Sequence, residues 1–168
     1  MTTGFILRTL DASRAIQDEV GRLDLAPTTP PTGVTDLYDA LVTDPELTRV
    51  TERLFDDGHY AMSVEEAFKC ISNSVKAKSG CHEDGAKLMT QVFGEQRPVL
   101  RLNSMKTESE RNEQKGYMQI LAGCMTGIRN PRAHQHGYLD DPMTALKLLA
   151  FADHLMRKID NSRKVRVR

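Results

Sequence analysis

The run TESERNEQKGYMQILAGCMTGIRNPRAHQHG, Thr107 to Gly137, decides how this chain is read. Thr107 and Glu110 have the capping-box spacing that opens a helix. Beyond them Tyr117, Ile120, Leu121, Cys124, Met125 and Ile128 recur at i, i+3, i+4 and i+7, the apolar stripe of a helix facing a core. Asn130-Pro131 then interrupts the pattern. The proline ring would strike the carbonyl of Gly127 and disfavours helical geometry at Asn130, so the pattern predicts that the long helix stops near Ile128 or Arg129. Asn130 and Pro131 read as the N-cap and first position of a new short helix. His134 then falls in its first turn, Gly137 closes it, and Arg129 stands just outside.

Outward from this run the chain is helical almost throughout. A helix begins near Asp36, and Asp44-Pro45 caps another, PELTRVTERLFDDG. The next spans HYAMSVEEAFKCISNSVKAKSG, with Tyr60, Val64, Ala67, Phe68, Ile71 and Val75 on its apolar face and Gly80 as its stop. A shorter helix, EDGAKLMTQVFG, leads to an irregular EQRPVLRLNSMK. Asp141-Pro142 opens the last helix, whose broad apolar face includes Leu146, Leu149, Ala152, Leu155 and Ile159. No alternating strand stands out. The expected fold is all-α, a bundle of about four or five main helices over residues 34–161. Residues 1–33 read as an appendage, a short helix followed by the Pro/Thr-rich strap APTTPPTG, and residues 162–168 as a basic tail.

Composition narrows the function classes. The chain has 168 residues, with 39% hydrophobic and 27% charged, the profile of a soluble globular domain. Lys plus Arg (23) equals Asp plus Glu (23), so any polyanion binding must come from a local cluster. Cys70, Cys81 and Cys124 form no CxxC pair, which argues against a disulfide scaffold or zinc knuckle and suits a reducing cytoplasm. The start MTTGFILRTLD has no secretory pattern, and no apolar run approaches membrane-spanning length. The expected protein is cytoplasmic, without membrane contact, and needs no cofactor.

The chemistry sits at the interruption. In one unbroken helix Arg129 and His134 would point roughly 140° apart; a break would let them face one cleft. A helix start there would offer backbone N–H groups to an anion such as phosphate, with Arg129 and Arg132 supplying most of the charge. A histidine can take a proton from a ribose 2′-OH or give one to a leaving 5′-oxygen. An arginine fork can hold phosphate oxygens through a pentacoordinate transition state. One histidine cannot easily be base and acid in a single step, and a two-fold dimer would supply a second pair. Such spacing is common, and taken alone it reads as a helix stop whose histidine caps or packs.

RNPRAH resembles the arginine, polar residue, spacer and histidine motif of the HEPN superfamily of α-helical proteins. The longer stretch LFDDGHYAMSVEEAFKCISNSVKAKSG, together with TESERNEQKGYMQILAGCMTGIRNPRAHQ, is similar to the Ymh-type HEPN family of bacterial and phage-linked genomes, often found near defence genes. The likeness spans roughly Leu47 to Ile159. It implies a metal-independent endoribonuclease acting on RNA as a homodimer, a toxin or effector in antiviral defence or a toxin–antitoxin system, with an antitoxin or another defence protein as partner. The motif maps catalysis to Arg129 and His134 and a supporting role to Asn130. Such sites are often completed by a polar or acidic residue from an earlier helix; Glu66 or Glu65 are candidates by position. Many HEPN domains are instead non-catalytic modules that bind protein, nucleotide or RNA, and a subunit that neutralises a companion toxin is a third option.

Other candidates carry less. CHEDG (Cys81 to Gly85) puts ligand types side by side, where they cannot converge on one ion, so no metal site is expected. His136 could share work with His134 but suits a surface or cap, His154 a structural role, and His59 an interface. Met89, Met118, Met125, Met143 and Met156 fit core filler. Arg163, Lys164, Arg166 and Arg168 could touch RNA phosphates or simply be solvated. No GxGxxG or Walker pattern occurs.

Overall fold

Helix starts are set by local chemistry. In the computed structural model, which describes residues 33–165, α1 spans Val34–Leu41, α2 Pro45–Asp56, α3 Tyr60–Ser79 and α4 Gly85–Phe93. A long helix α5 (Glu108–Cys124) follows, then a π turn over Met125–Arg129, α6 (Asn130–His134) and α7 (Pro142–Asp160). Asp44 caps α2 by accepting from the amides of Glu46 and Leu47 with Pro45 in the first turn. Thr107 and Glu110 close the capping box of α5, and the Asp141 side chain accepts from the Thr144 amide at the start of α7. Gly80 stops α3 with φ 78°, a left-handed backbone that disfavours a side chain. The fold is all-α, as the sequence predicts. The expected N-terminal helix and strap, and Arg166 and Arg168, lie outside the described residues.

α3 is the central element, packed against α2, α4, α7 and the π turn. Val64, Ala67, Phe68, Ile71 and Val75 are all fully buried along it, and so are Leu149, Leu155 and Ile159 of α7, which packs against it. Two expected core residues turn outward: Ile120 and Met143 are exposed. Buried polar groups tie the elements together, each with partners. Asp153 of α7 accepts from the amides of Thr43 and Asp44, both at 2.7 Å, and so pins the entry to α2. Gln114 of α5 donates to the carbonyls of Phe93 and Leu100, both at 3.0 Å, and accepts from the Leu102 amide at 2.9 Å.

Gln114 explains a departure from the sequence reading. The segment taken as irregular contains a strand, β1 (Leu100–Arg101), pairing antiparallel with β2 (Arg163–Lys164), which belongs to the stretch taken as a free tail. Leu100 is fully buried under it, and the Val165 amide extends the contact to the Val99 carbonyl at 2.9 Å. Among the described residues no helix is long and apolar enough to cross a membrane.

Candidate functional site

Pro131 does not stop the helix; it widens it. The chain stays helical from Glu108 to His134, with φ −69° and ψ −51° at Arg129 and φ −60° and ψ −43° at Asn130. The Asn130 amide bonds the Met125 carbonyl, five residues back, instead of Thr126. One extra residue in the turn relieves the clash that a proline ring makes in regular α geometry and places the missing N–H where the ladder is already interrupted. Tertiary packing holds this solution in place: Met125 is fully buried and its sulfur accepts from the Ser72 hydroxyl at 3.2 Å.

Three expectations change as a result. Asn130 is helical and exposed, with no capping bond at this helix start. The motif therefore offers no free helix N-terminus to a phosphate. His134 is the last residue of α6 and not in its first turn, since Gln135 leaves helical geometry at φ −92°, ψ 115°. Gly137, at φ 70°, completes the turn that follows.

The motif's two arginines have different surroundings. Arg132 is sealed, with only 4% of its side chain exposed against 5% for Asp140. Its Nε and Nη2 donate to the two Asp140 oxygens at 2.6 and 2.7 Å, while Nη1 donates to the Ile128 carbonyl at 2.8 Å in the widened turn. The guanidinium also stacks 4.8 Å from the Tyr138 ring centroid. Arg132 therefore clasps the loop after α6 back onto the helix, and it borders the hollow that His134 lines with its donors turned to Asp140 and Ile128.

Arg129, with 19% of its side chain exposed, makes one long contact: Nη1 donates to Asp84 Oδ2 at 3.3 Å. Its Nε is buried without a partner, alone in this among buried side-chain atoms of the described residues. Asp84 is shared, its other oxygen lying 3.0 Å from Lys76 Nζ. Lys76, then the Gly85 amide and Arg129, hold the Asp84 carboxyl below the usual carboxylate range. Two cations on one carboxylate leave a local excess of positive charge.

His134 faces elsewhere. It is exposed and lines a hollow of about 290 Å³ with Met62, Glu65, His136 and Tyr138, a set that does not include Arg129. Within one chain Arg129 thus contacts Asp84, while His134 borders the hollow beside Met62 and Tyr138. Of the two acidic candidates, Glu65 borders the hollow, while Glu66 borders a separate one with Arg49 and Asn73. Lys69 binds both, 2.8 Å from each.

Beside the His134 hollow lies an apolar rim. Met62 is 52% exposed and Leu139 is 88% exposed, and the adjoining hollow is lined by His59, Tyr60, Tyr138 and Leu139. His154 bonds the Tyr117 hydroxyl at 2.7 Å on another face. Burial raises the Cys70 thiol and pushes Cys124 up to about 11, so neither supplies a thiolate near neutrality. Asp84, Lys76 and Asp140 escaped the sequence reading: Asp84 was visible only within CHEDG, and nothing local marks the other two.

No curated protein and no solved structure matches the chain. Residues 42–159 match the family described as Hypoth_ymh, protein of unknown function. The match takes in Asp84, Arg129, Arg132, His134 and Asp140 and covers well over half of the sequence, so the chain belongs to the Hypoth_ymh family.

Proposed function

We propose that the chain is a metal-independent endoribonuclease of the HEPN type, a toxin or effector of bacterial defence that cuts only as a two-fold dimer. The observation that carries this reading is the state of Arg129: an almost enclosed guanidinium with an idle Nε and one long, shared contact. A buried charged donor left short of partners is unfavourable by about 1–3 kcal/mol, so the group is tensioned toward an anion. RNA phosphate is such an anion, and Arg129 would exchange Asp84 for it.

The dimer follows from the need for a base and an acid, two proton-transfer groups where one chain's motif supplies one histidine. His134 shares a hollow with exposed Met62, and exposed Leu139 lines the hollow adjoining it; an interface there would cover apolar surface and bring in a second histidine. One histidine takes the 2′-OH proton, the 2′-oxygen bonds to phosphorus, and the bond to the 5′-oxygen breaks. The partner's histidine protonates that oxygen, leaving a 2′,3′-cyclic phosphate and a 5′-OH. Arg129 stabilises the charge on the non-bridging oxygens.

The experiment is cleavage of single-stranded RNA in EDTA by the wild type, Arg129→Ala, His134→Ala and Leu139→Asp. The first should cut and each variant should not, with Leu139→Asp monomeric. Cutting that requires a divalent ion, or that persists in both motif variants, refutes the assignment. The rival reading, a non-catalytic binding module of the same superfamily, is favoured by the Arg129–Asp84 pair. Stoichiometric RNA binding with no turnover by the dimer would establish it.

A further inference from the structure

The strand pair carries an arrangement that folding alone does not explain. Arg101 and Arg163 are Cα partners across the antiparallel ladder. Directly opposed residues project from the same face, and like charges in that position repel. Both side chains are exposed and line one hollow of about 250 Å³ with Asn103, Ser104 and Asn161. Neither arginine has a salt bridge or a side-chain hydrogen bond among the described residues, whereas Glu110 and Glu113, which bond the hollow's Ser104 and Asn103, are engaged. Glu110 accepts from Ser104 and from the amides of Lys106 and Thr107. Glu113 is held by Lys158 at 2.7 Å and by Asn103 at 3.0 Å. Those contacts hold Glu110 and Glu113 below the usual carboxylate range, so both stay charged but face their own donors.

We propose that the Arg101–Arg163 pair is a binding site for the phosphodiester backbone of a nucleic-acid strand, separate from the Arg129–His134 motif. An anion between two opposed guanidiniums converts their repulsion into attraction, and arginine forks suit phosphate oxygens. A strand is favoured over a single small anion because the sequence continues from Arg163 to Arg166 and Arg168, more cations than one phosphate would use. Contacts of this kind position a strand without reading its bases. The site stands whether or not the motif cuts RNA.

The test is binding of a fluorescent single-stranded 2′-O-methyl oligonucleotide to the full chain, followed by anisotropy over a salt series; the probe has no 2′-OH to attack. The Arg101→Ala/Arg163→Ala double variant should bind about tenfold more weakly at 0.1 M salt. Its slope of log affinity against log salt should be shallower by about 1.4, the share of two single-strand phosphate contacts. Arg101→Glu guards against simple loss of the strand pair. It puts an opposite charge across from Arg163, should hold or raise the melting temperature, and should still lose the probe. Wild-type affinity and slope in either variant overturns the proposal. Displacement of the probe by inorganic phosphate at equal phosphorus concentration also overturns it, since it would show a single-anion site.

Discussion

Arg129 and Arg132 stand one helical turn apart in the same short motif, and the fold treats them in opposite ways. Arg132 is closed in, with three donors matched at 2.6–2.8 Å to Asp140 and the Ile128 carbonyl. Arg129 keeps an orphaned Nε and one 3.3 Å contact to a carboxylate that Lys76 also holds. A satisfied charge rigidifies the framework around it, while a dissatisfied one keeps binding capacity in reserve. The comparison teaches that basic residues within one motif can divide between scaffold and function, and that hydrogen-bond accounting separates them where spacing cannot.

The sharpest way to break the comparison is to remove the closed arginine. Arg132→Ala strands the Asp140 carboxylate, itself 5% exposed, and should lower unfolding free energy by about 3–5 kcal/mol in urea titration. A loss under about 1 kcal/mol would mean that water already satisfies the clasp. Arg129→Ala should do the reverse. Its partner Asp84 is 54% exposed and retains Lys76, so stability should fall by no more than about 1 kcal/mol. RNA cleavage, on the proposed function, should drop by about a hundredfold or more. Equal stability losses in the two variants would erase the distinction.

What separates these arginines was not legible in the sequence, although much of the surrounding fold was. Asp44-Pro45, Thr107 with Glu110, Asp141-Pro142 and Gly80 mark their helix ends because capping is decided within a few residues. The consequence of Pro131 is different in kind. A proline in a helical pattern has two outcomes, termination or a widened turn, and local rules favour the first. Burial of Met125 against Ser72 of α3 and the Arg132–Asp140 clasp hold the second. Neither partner is a sequence neighbour of the proline. The strand pair was hidden for the same reason, since its two-residue strands are anchored by Gln114, a residue that reads as one more polar position on α5.

Pro131→Ala probes the widened turn that sets the two arginines apart. With the N–H restored and the ring gone, regular α hydrogen bonding becomes available, from the amides of residues 130 and 131 to the carbonyls of Thr126 and Gly127. The variant should be more stable by about 1 kcal/mol, the relief of the helix penalty being partly offset by a freer unfolded chain. Cleavage should fall, because the residues carrying Arg129 shift relative to His134. Amide exchange or NMR that finds the Asn130 amide still bonded to Met125 in the variant would show that packing, not proline, makes the turn.

The smallest effect sharpens the open side of the comparison. Asp84 holds Arg129 in the absence of ligand and competes with any phosphate for it. Asp84→Asn keeps the shape, removes the charge, and should raise affinity for single-stranded RNA a few-fold, read in a His134→Ala background to prevent turnover. Acid should act in the same direction. Lys76, the Gly85 amide and Arg129 depress the Asp84 pKa in the folded state, so its contribution to stability is present above the unfolded value near 4 and is lost as pH falls through the lower folded value. As pH falls toward that point the wild type should converge on Asp84→Asn when the two are compared at the same pH, because both then lack the charge at position 84. If affinity in Asp84→Asn drops instead, Asp84 orients Arg129 toward the phosphate and does not compete with it.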